Sequence, residues 1–322
     1  MDLEEFLKEW HNDSPTVLVH TSGSTGKPKP MLVEKRRMEA SARITCEFLG
    51  LKLGDRALLC MSLDYIAGKM MVVRALTCGL KLISVNPCGS PEWDGDIDFA
   101  AMVPMQVYNL LQTDEGRERL MRIRHLIIGG GAIDEALARV LIGFPNQVWS
   151  TYGMTETLSH VALRRLSGPE ASEWYTPFEG VSLSQTDEGC LVIDAPAVHD
   201  GLLVTNDMAE LSEGRFRIIG RKDNVICSGG IKIQIEEVER QLKPYLAVPF
   251  MITKRADKKF GEQVVLLTES QDMDIIKVVC QKQLPKYWQP RGFLHVDSLP
   301  MTETGKPARK EAERLAALAK EV

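Results

Sequence analysis

The 322-residue chain lacks any stretch approaching the roughly 18 consecutive apolar residues of a membrane span. Its first ten residues, MDLEEFLKEW, are acidic and amphipathic, without the basic-then-apolar order of a secretory signal. Cysteines are few and scattered: seven of them, an odd number, at 46, 60, 78, 88, 190, 227 and 280, with no CxxC pair. That spacing argues against a zinc site or a disulfide framework and predicts reduced thiols in a cytoplasmic protein. A basic surplus is missing too. Lys plus Arg number 39 against 44 Asp plus Glu, a net charge of −5, so general nucleic-acid binding is not expected. Internal repeats and low-complexity tracts are also absent. What remains is ordinary globular composition, 44% hydrophobic and 26% charged, in a chain long enough for about two domains.

Strand and helix patterns alternate through the first half. Residues 3–10 read as a short helix, and TVLVH (16–20) as a buried strand entering a Gly/Ser/Thr loop. A helix bearing Met38, Ala42, Cys46 and Leu49 on one face follows. Strands are expected at 56–61, 81–85, 98–103, 125–128 and 148–151, and helices at 69–78, 106–111 and 134–142. This alternation predicts an α/β domain with a mostly parallel sheet. After about residue 165 the pattern turns β-rich, in GCLVIDA, GLLVTND and RFRIIGR. A smaller α+β unit closes the chain, with a strand at 263–268, a helix at 273–283 and a charged helix beyond 306. The expected division is 1–221 and 222–322.

The chemically densest stretch is HTSGSTGKPKP, His20 to Pro30. Gly23 and Gly26 permit backbone conformations that turn N–H groups inward. Thr21, Ser22, Ser24 and Thr25 add hydroxyls, and Lys27 and Lys29 add positive charge. Such a loop suits a pyrophosphate or triphosphate. It is not a Walker A loop, whose glycines and lysine are spaced differently.

This loop resembles the signature of the adenylate-forming superfamily of acyl-CoA synthetases, peptide-synthetase adenylation domains and luciferases. Six further runs, in the family's order, support the resemblance. TYGMTET (151–157) resembles its YGxTE motif, which implies that Tyr152, beside Gly153, stacks near adenine, that Thr155 contacts phosphate and that Glu156 holds Mg²⁺. Gly129, Gly130 and Gly131 resemble the glycine turn beside the adenine. Asp207, in VTNDM, matches the ribose-binding aspartate, with Asn206 where the family has glycine. GRKDN implies a nucleotide contact for Arg221 and a hinge at Asp223 between a large domain and a small mobile carboxy-terminal one. SGGIKIQIEEVE implies that Gly229 and Gly230 line the thiol channel for coenzyme A, although the residues alone also fit a solvated turn. LPMTETGKPAR resembles the carboxy-terminal lysine motif and makes Lys306 the adenylating lysine.

The resemblance spans about residues 16–309. Full-length relatives carry a long segment ahead of the phosphate loop, whereas here 20 residues precede Thr21, so much of the first subdomain is expected to be missing. The implied reaction is ATP-dependent and AMP-forming: a carboxylic acid becomes an acyl-adenylate, then a CoA thioester. MSLDYIAGKMMVVRAL (61–76) is most similar to the 2-succinylbenzoate–CoA ligases of menaquinone biosynthesis, with Tyr65 at the pocket-lining position and Arg74 where an arginine pairs with a substrate carboxylate. Ala67 stands where those ligases have serine. His160 is a further candidate for the same pocket. The implied partners are a small carboxylic acid, ATP, Mg²⁺ and coenzyme A, with a homodimer possible in outline. Two readings stay open beside this one: adenylation of another aryl or acyl acid, or for another acceptor, and a shortened nucleotide-binding protein without turnover.

Overall fold

The computed structural model describes residues 1–20, 30–131, 133, 135–302 and 307–319. Helix α1 (Leu3–His11) starts from a reciprocal cap: the Asp2 carboxylate accepts from the Glu5 N–H, and the Glu5 carboxylate accepts from the Asp2 N–H. A ribbon follows, β1 (Thr16–His20) paired antiparallel with β2 (Pro30–Glu34). Then come α2 (Lys35–Phe48), β3 (Arg56–Leu59), α3 (Ile66–Cys78), β4 (Lys81–Ser84), β5 (Ile97–Met102), α4 (Pro104–Leu110) and α5 (Asp114–Met121). The same alternation continues through β6 (Ile123–Ile128), α6 (Glu135–Ile142), β7 (Gln147–Gly153), β8 (His160–Arg165) and β9 (Thr176–Pro177).

Seven of these strands form one sheet in the order β4-β3-β5-β6-β7-β8-β9. The pairings from β4 to β7 are parallel; β8 and β9 run antiparallel at one edge. Leu58, Ile97, Ala100, Met102, Ile123 and Leu126 of its strands pack with Val107, Leu110, Leu120, Leu137 and Leu141 of the helices. Strands covered by helices on their faces carry near-continuous apolar runs, which is why LIIG and RALLC were legible as strands. Helix α3 is buried all round from Gly68 to Ala75. It ends on Gly79 at φ +65°, the left-handed stop that favours glycine.

Four more strands, β10 (Ser182–Gln185), β11 (Cys190–Asp194), β12 (Leu202–Ser212) and β13 (Arg215–Arg221), make a sheet in that order. The chain ends in β14 (Val225–Ser228), β15 (Ile231–Gln234), α7 (Ile235–Leu242), β16 (Phe250–Asp257), β17 (Gly261–Thr268), α8 (Met273–Gln283), β18 (Gly292–His295) and α9 (Arg309–Leu318). Its strands form a five-stranded sheet, with Ile226, Ile252, Val264 and Leu266 packed on Ile235, Val238, Leu242, Ile276 and Cys280.

The chain divides into two compact units. One holds Met1–Ser184, Val192–Leu203 and Leu211–Arg217; the other holds Gln185–Leu191, Val204–Glu210 and Ile218–Val322. The large α/β part with a mostly parallel sheet, the β-rich part and the terminal α+β part match the expected fold class. One element departs from expectation. TVLVH is only half buried: Val17 and Val19 face inward while Leu18 is 42% exposed. It lies in a two-stranded ribbon, outside the parallel sheet, because its partner β2 follows immediately after the loop. The helix α5 and the strand β8 were not anticipated; HVALRR carries two arginines and reads as polar, yet four of its six residues are buried.

Candidate functional site

Thr21, Ser22, Gly23, Ser24, Thr25, Gly26, Lys27 and Lys29 of the phosphate loop, and Lys306, lie outside the described residues. The ribbon nevertheless fixes both ends of the loop, since His20 and Pro30 are register partners.

In the first unit, the glycine turn and the TYG strand end come together at the carboxyl ends of the parallel strands, where ligands bind in open α/β sheets. Gly129 abuts Thr151: a Cβ at 129 would stand 2.2 Å from the Thr151 Oγ1. Gly130 has φ +77°. Gly153 lies so close to the returning strand that a Cβ would meet the Ser159 carbonyl oxygen at 2.2 Å. The Tyr152 ring stands edge-on to Phe216 at 5.0 Å and near Tyr175 at 5.8 Å, in an aromatic cluster. A short turn, Thr155–Thr157, follows β7 and presents Glu156 to solvent while Thr155 is buried. Thr157 stitches this turn: its hydroxyl accepts from the Met154 N–H at 3.0 Å and donates to the Ser159 carbonyl at 2.7 Å. Leu158 then takes φ +64° and ψ −36°, and the Ser159 N–H reaches the Thr157 carbonyl at 2.7 Å. This is a γ-turn of the strained kind, a conformation that costs about 1–3 kcal/mol in a residue with a side chain.

Among the described residues, Glu156 makes no ion pair. An exposed, uncommitted carboxylate fits a hard divalent cation that is shared with phosphates. No cluster of three or more metal-ligating side chains exists among the described residues.

The turn also delivers Ser159 to Arg74. Arg74 is 2% exposed, its Nη2 donates to the Ser159 Oγ at 2.7 Å, and its guanidinium lies 5.9 Å from the Phe99 ring centre. It has no carboxylate partner among the described residues, and its Nε has no hydrogen-bond acceptor there. Burial pushes its pKa down to about 10, so it remains charged at neutral pH. The hydrogen positions around it follow by elimination. Thr45 on α2 donates its hydroxyl hydrogen to the Ser41 carbonyl at 3.0 Å. The 3.2 Å contact between Thr45 Oγ1 and His160 Nε2 therefore has the ring N–H as donor. His160 Nδ1 is then an acceptor and takes the Ser159 hydroxyl hydrogen at 3.1 Å. That leaves the Ser159 oxygen free to accept from Arg74. Burial, and then the Arg74 charge, hold His160 well below the usual histidine pKa, which agrees with a neutral ring. Beside it lies a small hollow of about 20 Å³ lined by Ser41, Ile44, His160, Val161 and Phe178, among others. Tyr65, at the start of α3, is 49% exposed.

Neither Ser159 nor Thr45 was legible as a site residue. Ser159 sits just past the TYGMTET run, and Thr45 is one more buried residue on the apolar face of α2; no spacing marks either as a partner of Arg74.

In the second unit, Asp207 and Arg221 meet at 2.8 Å. Asp223 accepts from Arg221 at 3.4 Å and from the Asn206 amide at 3.2 Å. Asn206 thus ties Asp207's strand to the Lys222–Asn224 turn, a bond that glycine could not make. Gly229 and Gly230, at φ +59° and +82°, form the two-residue turn of the β14–β15 hairpin between Ser228 and Ile231. A turn with both central residues at positive φ demands such a pair.

Residues 3–192 match the family described as AMP-binding enzyme. A 2-succinylbenzoate–CoA ligase of Bacillus mycoides is 24% identical, over 97% of this chain and 73% of the relative. Among solved structures, an acyl-CoA synthetase (AMP-forming)/AMP-acid ligase II-like protein from Dyadobacter fermentans is 33% identical. It aligns with a TM-score of 0.66 over 95% of this chain and 91% of that one. The o-succinylbenzoate CoA synthetase of Bacillus subtilis, solved with the acyl-adenylate intermediate OSB-AMP, shares the fold at 22% identity. Its TM-score is 0.76, covering 92% of this chain and 68% of that one.

Proposed function

The chain belongs to the AMP-binding enzyme family as an AMP-forming acyl-CoA synthetase, and from that premise we propose that its acid is an aromatic dicarboxylate of the 2-succinylbenzoate type. Arg74 is the observation that carries this reading. A guanidinium buried without a carboxylate partner is costly to keep, and an incoming carboxylate held bidentately offsets that cost. A dicarboxylate has one group to react and one to leave behind on such an arginine. The likeness to 2-succinylbenzoate–CoA ligases supports the same choice and, with it, a role in menaquinone biosynthesis as part of the proposal.

The chemistry joins two anions. An acid carboxylate oxygen attacks the α-phosphorus of ATP, the bond to the β-phosphate oxygen breaks, and pyrophosphate leaves. Even in water, unit charges ~4 Å apart repel by about 1 kcal/mol, and several-fold more in a drier site. Thr21 to Lys29, Thr155 and Lys306 offset that repulsion with N–H, hydroxyl and ammonium groups. Glu156 would hold Mg²⁺, which would supply further charge neutralisation when bound. Tyr152, Gly129–Gly131 and Gly153 take the adenine side, and Asp207 and Arg221 the ribose side. The CoA thiolate then attacks the acyl carbonyl and AMP leaves.

The two half-reactions need different groups at one carbonyl. The small domain, residues 222–322, turns about Asp223 and presents Lys306 for the first step and the Gly229–Gly230 turn for the second. All seven cysteines are free, which suits a reducing cytoplasm. Among the described residues, no helix is long and apolar enough to cross a membrane. A homodimer is part of the proposal and is checked by light scattering.

The test is an acid panel with ATP, Mg²⁺ and CoA, scoring pyrophosphate and thioester separately. Both products should form with 2-succinylbenzoate and fall sharply with the analogue lacking the ring carboxylate. Arg74→Met should raise the acid KM by about 10–100-fold, the scale of losing a charged hydrogen-bonded pair, and leave the ATP KM in place. Pyrophosphate without thioester would point to another acceptor. Silence with every acid, alongside intact nucleotide binding, would make the chain a nucleotide-binding protein.

A further inference from the structure

A two-stranded ribbon is marginal by itself, and β1–β2 pairs with no other strand among the described residues. Leu18 lies opposite Leu32 in the register. Its N–H and C=O are nevertheless both occupied from the outer side. The N–H donates to Glu9 Oε1 of α1 at 3.2 Å, and the C=O accepts from Lys69 Nζ of α3 at 2.9 Å. Leu18–Leu32 is therefore one of the non-hydrogen-bonded pairs of the ribbon, with its polar groups turned outward. Glu9 and Lys69 close on each other at 3.4 Å. Together they offer Leu18 one acceptor and one donor, as a residue of a third strand would.

The lysine end of the pair is built into the interior, while Glu9 is half-buried. Lys69 is 3% exposed and its ammonium lies 5.2 Å from the centre of the Phe6 ring, itself fully buried. Buried ion pairs contribute little net stability against apolar replacements; their best-attested use is to set register. What is registered here is the strand whose end, two residues on, opens into the phosphate loop. The loop's other end returns at Pro30, directly opposite His20.

We propose that Glu9 and Lys69 are positioning residues for ATP: by gripping both backbone groups of Leu18 they set where β1 delivers Thr21 and the loop that follows. This rests on the reading of residues 21–29 as the triphosphate loop.

The test uses the full chain, with MgATP binding measured by titration calorimetry, steady-state KM values for ATP and acid, and thermal melting. Lys69→Met keeps the length of the side chain and removes the donor. It should weaken MgATP binding about tenfold and leave the acid KM unchanged. Glu9→Gln keeps an acceptor for Leu18 and should bind MgATP nearly as the parent does, whereas Glu9→Leu should lose affinity like Lys69→Met. Combining Lys69→Met with Thr21→Ala should cost less than the product of the two single losses, because both act through the same loop. A Lys69→Met variant that melted lower yet bound MgATP as tightly as the parent would overturn the proposal and leave the pair as packing. If Lys69→Met does not fold, equal MgATP affinity in Glu9→Gln and Glu9→Leu would overturn it instead. A parent chain that bound no MgATP at all would bring down the loop reading, and this inference with it.

Discussion

At the scale of single residues, the proposed function divides the site into groups that act on phosphate and groups that hold the acid. Lys306 is proposed for the first kind. Lys306→Ala should lower adenylation by about 10²–10³, the scale of losing one transition-state donor. Thioester formation from supplied acyl-adenylate should survive better, and equal losses in both steps would count against separate roles for Lys306 and the Gly229–Gly230 turn. The groups proposed to hold the acid were only half visible in the sequence. Arg74 was read from its motif, but its partner Ser159 is 85 positions away, and His160 reaches Thr45 across 115. No local pattern reports such pairings. A residue not assigned to the site makes a pH prediction. Burial, then the neighbouring Arg124 charge, push the His125 pKa down to about 4. Its folded value lies below the unfolded one, so the unfolded chain binds more protons between about pH 6.5 and 4. The neutral ring's contribution is complete above that window and is lost as pH falls through it. His125→Asn should flatten the dependence of urea-unfolding stability on pH across that range.

At the scale of elements, what the sequence shows well are helices and strands whose periodicity matches their burial. The helix Met273–Gln283 was read to its ends, because Asp272 caps it and a Pro follows soon after. The phosphate ribbon was misjudged, because TVLVH has strand composition whether it lies in a sheet or at a free edge. Helix α3 hides a close approach that sequence cannot disclose. Gly68 stands where a Cβ would meet the Ser62 carbonyl oxygen at 2.3 Å. Exchanging a mid-helix glycine for alanine ordinarily adds up to about 1 kcal/mol of helix stability. Here the sign should reverse: Gly68→Ala should lose roughly 1–3 kcal/mol through overpacking, read as a lower urea midpoint. A rise in the midpoint would show that the start of α3 yields easily. Because α3 also carries Tyr65, Lys69 and Arg74, its placement bears on both the acid and the phosphate sides.

At the scale of the whole molecule, the chain folds as two compact units, each with its own apolar core, and the proposed cycle needs them to change orientation between half-reactions. Asp223, the proposed hinge, sits in the short Lys222–Asn224 turn, held by Arg221 and Asn206. Proline at 223 fixes φ and restricts residue 222 as well. Asp223→Pro should therefore depress two-step turnover more than either half-reaction measured alone; full turnover in that variant would remove the hinge from Asp223.

Sequence by itself determined the family resemblance, the phosphate loop's composition and the order of the chemical motifs. Those are contiguous runs, since phosphates are gripped by successive backbone amides and neighbouring hydroxyls. It also determined the alternation that makes a covered parallel sheet, since burial on two faces imposes apolar runs. Tertiary structure alone decided that Arg74 is buried with no carboxylate partner among the described residues, that Thr45, Ser159 and His160 order their protons around it, and that Glu9 and Lys69 occupy the outer polar groups of Leu18. Each of those facts joins residues distant along the chain, and burial gives such contacts their strength only after the core has closed around them.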